Sequence, residues 1–181
     1  MIYLIGGTLK SGKTYVARKI MEEKKIPFFE TDFLNYALSD EGLFNYDDDD
    51  EKVALYLEPK ITRIIDFLIK YNGDYVIEGA HISPELILKL KEKYDKLIKP
   101  VVLGYPNTTA KFKYDSIISK DDSNESSWYK TLSEESFKEL LKRKIELSKK
   151  HQNVCIKNDI KYFDVDDISK SYKEIIDYLF S

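Results

Sequence analysis

A single cysteine, Cys155, leaves the chain without an internal disulfide, and its neighbours Val154 and Ile156 mark it as a small buried residue rather than a reactive thiol. That usage fits a reducing, cytoplasmic setting. No apolar run approaches the length that spans a bilayer, and no basic stretch precedes the first apolar segment. The expectation is a soluble protein that is not exported and has no membrane partner. Positive charge is not in excess either: 29 Lys and Arg against 32 Asp and Glu give a net charge of −3. Without a basic field to draw in polyanions, nucleic acid is not an expected partner. Arginine is scarce, with only Arg18, Arg63 and Arg143. The sequence shows no internal repeat, no dividing linker and no guanine-reading NKxD signature.

What is present suits one compact domain over residues 1–181, since 43% of the chain is hydrophobic and 13% aromatic. Short apolar or aromatic runs at Ile2 to Ile5, Ile26 to Phe29, Tyr75 to Ile77, Val101 to Leu103 and Tyr162 to Val165 read as strands. Between them, helical spacing lines up Val16, Ala17, Ile20 and Met21 on one face, and Ile61, Ile64, Ile65 and Leu68 on another. Ser83-Pro84-Glu85 predicts a capped helix start, and Ile168, Tyr172, Ile175, Ile176 and Leu179 form a stripe that predicts a final docked helix. Alternating strands and helices predict a doubly wound α/β fold with parallel strands, whose ligands sit at the carboxyl ends of the strands. Two stretches break the pattern. The acidic run Asn45 to Glu51, after Asp40-Glu41-Gly42, reads as a solvated loop. Asn107 to Ser133 reads as a long loop serving as a lid, before a helix carrying Phe137, Leu140, Leu141 and Ile145.

Gly7-Thr8-Leu9-Lys10-Ser11-Gly12-Lys13-Thr14 fills every fixed position of GxxxxGK(S/T), directly after a strand and directly before a helix. Glycines let the backbone N–H groups curl toward phosphate oxygens, and the helix dipole adds partial positive charge. Lys13 can reach the β and γ phosphates, and the Thr14 hydroxyl can take one position on Mg²⁺. Lys10 either adds charge to the loop or faces solvent.

Acids at neighbouring strand ends distinguish transfer from mere binding. Asp32 follows strand two, where a carboxylate accepts the proton of an attacking hydroxyl or supports the metal. The other reading is an N-cap for the helix that begins with Phe33 and Leu34. Glu78 ends the hydrophobic strand Tyr75-Val76-Ile77 in the manner of a Walker B acid that helps hold Mg²⁺, or else binds a substrate hydroxyl. Gly79 and Ala80 would keep that rim open, and His81 either contacts substrate or is structural.

With Gly7 to Thr14, Asp32 and Val76-Ile77-Glu78-Gly79-Ala80-His81, the chain resembles the nucleoside and small-molecule kinase branch of the P-loop superfamily: adenylate-kinase-like, 2-phosphoglycerate-kinase-like and zeta-toxin-like proteins. The resemblance implies a five-stranded parallel sheet in order 2-3-1-4-5 and a helical lid. It also implies ATP with Mg²⁺, and phosphoryl transfer to a small-molecule acceptor held between strands two and three. Such kinases usually carry arginines in or beside the lid, and here that segment has none. Arg143, on the helix after the lid, would reach the nucleotide, with Lys111 or Lys113 adding charge at the acceptor; the other reading of all three is a solvated helix face. Leu9 and Lys10 replace the small residues of adenylate kinases, which disfavours AMP as acceptor. Trp128 and Tyr129 stack on a ring or anchor the lid.

Overall fold

The computed structural model describes residues 1–39, 50–71, 73–119 and 128–181. Five strands, β1 (Ile2–Gly7), β2 (Phe28–Glu30), β3 (Tyr75–Gly79), β4 (Ile98–Gly104) and β5 (Tyr162–Asp164), form one sheet in the order β2-β3-β1-β4-β5. All four pairings are parallel. Each strand expected from composition is there. β1 and β4 run on into glycine, and β3 ends on Gly79, past the apolar residues that announce them.

Alternation along β1 builds the layers. Ile2 and Leu4 point to one side, where α3 (Asp50–Lys70) contributes Val53, Leu57, Ile61 and Ile65, and α4 (Pro84–Tyr94) contributes Leu86, Ile87 and Leu90. Tyr3 and Ile5 point to the other, against Val16, Ala17 and Ile20 of α1 (Lys13–Lys24) and Ile175, Ile176 and Leu179 of α7 (Ile168–Leu179). Period 2 in the strand and period 3.6 in the helices therefore meet in two apolar layers. Cys155, in α6 (Glu134–Lys157), is fully buried in the first, and burial pushes its thiol up to about 12, so it is inert. Ser83 accepts from the Leu86 N–H with Pro84 next to it, so α4 starts as its capping residues specify.

Two expectations are amended, and the stretch read as a long loop is helical where described, as the resemblance implies. α3 reaches back to Asp50, so the last two residues of the acidic run belong to its first turn; 40–49 lie outside the described residues. Asp32 does not cap α2 (Thr31–Ser39) but sits within its first turn. The lid stretch is helical where described: α5 (Ala110–Ser119) starts with the Thr109 hydroxyl accepting from the Phe112 N–H, and a 3-10 turn spans Trp128–Thr131. Residues 120–127 of that stretch, and the side chain of Trp128, lie outside the described residues. Tyr129, Phe137 and Leu141 form a third cluster with Tyr114 and Ile117, which ties α5, the 3-10 turn and α6 together. Tyr129 lies flat on Phe137, centroids 4.9 Å apart, so it is an anchor rather than an open stacking surface.

Candidate active site

β1 delivers the chain into the loop 7–14, and α1 begins at Lys13 with Gly12 as its N-cap. Gly12 has φ 93°, and a Cβ there would stand 2.5 Å from the Ile168 side chain, so no other residue fits without displacing α7. A glycine cap supplies no side-chain acceptor, which leaves the first N–H groups of α1 for an outside anion. The loop is held from the side of β4. Thr8 N–H donates to Leu103 O at 3.1 Å, and the Tyr105 hydroxyl donates to Leu9 O at 2.6 Å.

Inside the loop, Ser11 Oγ is buried and has no hydrogen-bond partner among the described residues. The Lys13 ammonium is buried and donates to Thr8 O at 2.9 Å, folded back over the loop. An orphaned hydroxyl, an ammonium and uncapped helix N–H groups in one cradle are the donor set that polyphosphate requires.

Across the cradle, the Thr14 hydroxyl donates to Glu78 Oε1 at 2.6 Å. Glu78 is only 3% exposed. Burial pushes its carboxyl above the ordinary value, Lys13 and the Thr14 hydrogen bond oppose this, and Glu30 and Asp32 reinforce it. The register places Glu30 directly beside Glu78 on the β2-β3 pair. Glu30 is raised as well, by burial first, with Arg18 opposing and Asp32 adding. Three carboxylates thus crowd the ends of β2 and β3. Among the described residues no group of three or more His, Cys, Asp or Glu is placed to hold a metal unaided. A threonine with one carboxylate, completed by phosphate oxygens and water, is the donor set that suits Mg²⁺.

α2 brings Asp32 to this corner. Gly79 is buried under it, where a Cβ would stand 1.7 Å from Thr31 Oγ1, so this glycine serves the close approach of α2 and not an open rim. Ala80, half-buried, keeps the open position. Thr31 Oγ1 and His81 Nδ1 are 3.1 Å apart, and His81 Nδ1 stands 3.9 Å from Asp32 Oδ1. His81 is buried, and it braces the turn that carries Asp32, whose own side chain is 61% exposed. A cavity of ≈ 330 Å³ opens beside Ala80, lined among others by Leu55 and Glu58 of α3, Ser83, and Leu147 and His151 of α6.

The basic residues fall elsewhere than expected. Lys113 is buried with its ammonium 4.1 Å from the Tyr105 ring centroid, near Asp164 at the end of β5. That is the β4-β5 side, across β1 from Asp32, so its place is beside the phosphate loop and not at the acceptor; Lys111 is exposed on the same helix. Arg143 is exposed, about 140° around α6 from Ser148. Lys10 does not simply face solvent: its ammonium lies 4.5 Å from the Tyr129 ring centroid, joining the phosphate loop to the base of the lid stretch.

Sequence reasoning missed Ser148. Its Oγ pairs with Thr8 Oγ1 at 3.0 Å and accepts from the Tyr105 N–H at 3.2 Å, so α6 is bonded directly to the loop. The signal was a small polar residue on the buried stripe Leu141, Ile145, Ser148, Cys155. Lys144, half-buried and one turn before Ser148, is the α6 cation on the loop's side of the helix.

Neither a protein-family model nor a curated protein matches the chain. Solved structures do. A gluconokinase from Sinorhizobium meliloti superposes with a TM-score of 0.60 at 17% identity, covering 98% of this chain and 90% of that one. A shikimate kinase from Bacteroides thetaiotaomicron gives 0.62 at 11% identity, covering 100% and 99%. A deoxyadenosine kinase from M. mycoides gives 0.50 at 18% identity, covering 99% of each. At such identities the likeness speaks for architecture alone, and this chain shares the fold of these solved structures.

Proposed function

We propose that the chain is an ATP- and Mg²⁺-dependent kinase that moves the γ-phosphoryl group to a hydroxyl or phosphate of a small-molecule acceptor. The observation that carries this is the 2.6 Å hydrogen bond from the Thr14 hydroxyl to Glu78 Oε1, which joins the phosphate loop to the acid at the end of β3. Just past the end of β2, in the first turn of α2, stands Asp32, its side chain exposed to solvent.

In this reading the N–H groups of Gly7 to Thr14 and the Lys13 ammonium hold the β and γ phosphates, and Ser11 Oγ takes one of their oxygens. Thr14 and Glu78 are the residues that would hold Mg²⁺, which when bound offsets charge developing on the transferred phosphoryl group. Asp32 orients the acceptor hydroxyl and takes its proton as the new P–O bond forms; the β–γ bridge breaks and ADP leaves. Lys144 and Lys113 would supply the positive charge otherwise expected of arginine. The stretch 107–133 is the segment that would exclude water, within one domain spanning 1–181.

Asp32→Asn tests the assignment. Acceptor-dependent turnover should fall at least about a hundredfold while ATP affinity is kept. Undiminished transfer in that variant removes Asp32 from the chemistry. ADP release that no acceptor accelerates, in the unmodified chain, would favour an NTP-hydrolysing switch instead.

A further inference from the structure

Asp32 stands on the first turn of α2 with most of its side chain in solvent, a place where a carboxylate ordinarily samples several rotamers. A general base works only when its oxygen comes within about 3 Å of the atom whose proton it takes, and a misplacement of about 1 Å costs on the order of a hundredfold. An exposed base on a helix start therefore needs a neighbour that holds it to one geometry.

The buried imidazole of His81 has that place. Its Nδ1 faces two oxygens of α2 at once, Thr31 Oγ1 at 3.1 Å and Asp32 Oδ1 at 3.9 Å. A threonine hydroxyl donates or accepts, whereas an ionised carboxylate only accepts, so one proton on Nδ1 suits both oxygens. A bare Nδ1 lone pair would instead repel the carboxylate. On its other side the same residue is anchored to the phosphate loop. It belongs to a tight turn closed by the Ile82 N–H donating to Gly79 O at 3.3 Å. That turn rests on Gly6, where a Cβ would stand 2.1 Å from Ile82 O, and Gly6 directly precedes the loop 7–14. Thr31, fully buried, presses against Gly79 of the same turn. The base of the loop, the turn 79–82, His81 and the start of α2 thus form one run of close contacts, with Asp32 at its exposed end.

We infer that His81, carrying its single ring proton on Nδ1, is a positioning residue for Asp32: it selects the carboxylate rotamer that meets the acceptor hydroxyl and sets its distance from the phosphate loop. It acts through Asp32 and not by touching acceptor or ATP. The inference rests on the role proposed for Asp32 in transfer and adds the group that aims it.

The tautomer can be read without any acceptor. In the full chain labelled with nitrogen-15, long-range proton–nitrogen correlation above the imidazole titration range distinguishes Nδ1–H from Nε2–H. The chain has two histidines, and the pattern lost in His81→Gln identifies His81. Its proton should sit on Nδ1, and Asp32→Ala should move the population toward Nε2–H. An Nε2–H ring in the unmodified chain, or a tautomer that ignores Asp32→Ala, overturns the inference. Turnover tests the aim, with Mg-ATP and glycerol, glucose, ribose and adenosine as probe acceptors, or water where none is phosphorylated. His81→Gln should lower kcat about tenfold and leave KM for ATP within about twofold. His81→Asn, whose amide nitrogen overlays Nδ1, should keep at least about half of the turnover. Equal losses in the two variants, with equal falls in Tm, would assign His81 to the core instead. In an Asp32→Asn background His81→Gln should cost nothing further, and a full additional loss would count against action through Asp32. Undiminished turnover in Asp32→Asn alone defeats the base itself, and the inference with it. A crippled Asp32→Asn beside an unaffected His81→Gln leaves the base standing and overturns the positioning role alone.

Discussion

Replacing Ser148 with alanine removes one oxygen from the point where α6 meets the loop 7–14. That oxygen is fully buried and serves two partners, the Tyr105 N–H at 3.2 Å and the Thr8 hydroxyl at 3.0 Å. Neither reaches water from its place, since Thr8 is 1% exposed and Tyr105 is fully buried. Leaving a buried polar group unpaired costs about 1–3 kcal/mol, so the loss of both, with some relaxation, comes to about 2–4 kcal/mol. For a domain of this size that corresponds to a fall in Tm of roughly 5–15 °C. Thermal unfolding followed by circular dichroism reads it, with Thr8→Val as the second arm of a double-mutant cycle. Because the two residues share one hydrogen bond, the double variant should lose less than the sum of the singles. ATP affinity should fall in parallel, since Thr8 lies within the loop. A Tm shift of Ser148→Ala below about 1 °C, or strict additivity with Thr8→Val, would refute the claim that this contact holds α6 to the loop.

Glu78→Gln should stabilise the nucleotide-free chain while abolishing transfer. The folded-state pKa of Glu78 lies above its ordinary value, so the charged form is disfavoured in the fold; the penalty is absent below that ordinary value and grows as pH rises through the folded-state one. The variant's Tm advantage should therefore be greatest at neutral pH and vanish in acid, and an advantage that grows in acid would contradict the assigned cause. Gly12→Ala should cost about 1–3 kcal/mol, from φ 93° and the collision with Ile168, measured by urea unfolding. Lys13→Ala should weaken ATP binding at least about tenfold by calorimetry with little change in secondary structure; retained affinity would argue against the phosphate role.

The sheet was legible because its signals are local and redundant. Apolar runs end in glycine or an acid, and the stripes of α1, α4 and α7 repeat at helical spacing. The phosphate loop was legible for a different reason: its function resides in backbone N–H groups, whose direction follows from glycines at set spacing. α5 was not legible, because a helix that buries a lysine against Tyr105 shows no clean apolar stripe. Nor was the partnership of Ser148 with Thr8, which joins residues 140 positions apart. Asp32 and Glu78 were found as strand-end acids, but whether Asp32 caps a helix depends on one residue of register at the start of α2. The basic residues went astray for a physical reason. Sequence gives a cation's position along a helix, and sheet order, which puts α5 across β1 from Asp32, decides which ligand it meets.

Transfer of a phosphoryl group at this corner is distinguished from its mere release by following the group itself. ATP labelled in the γ-phosphate, incubated with Mg²⁺, the chain and a panel of small-molecule acceptors, follows the group directly. Transfer should put label in the acceptor, one ADP for each phosphorylated molecule, and both should be lost with Asp32→Asn. Label released as inorganic phosphate, at a rate that no acceptor changes, would contradict it.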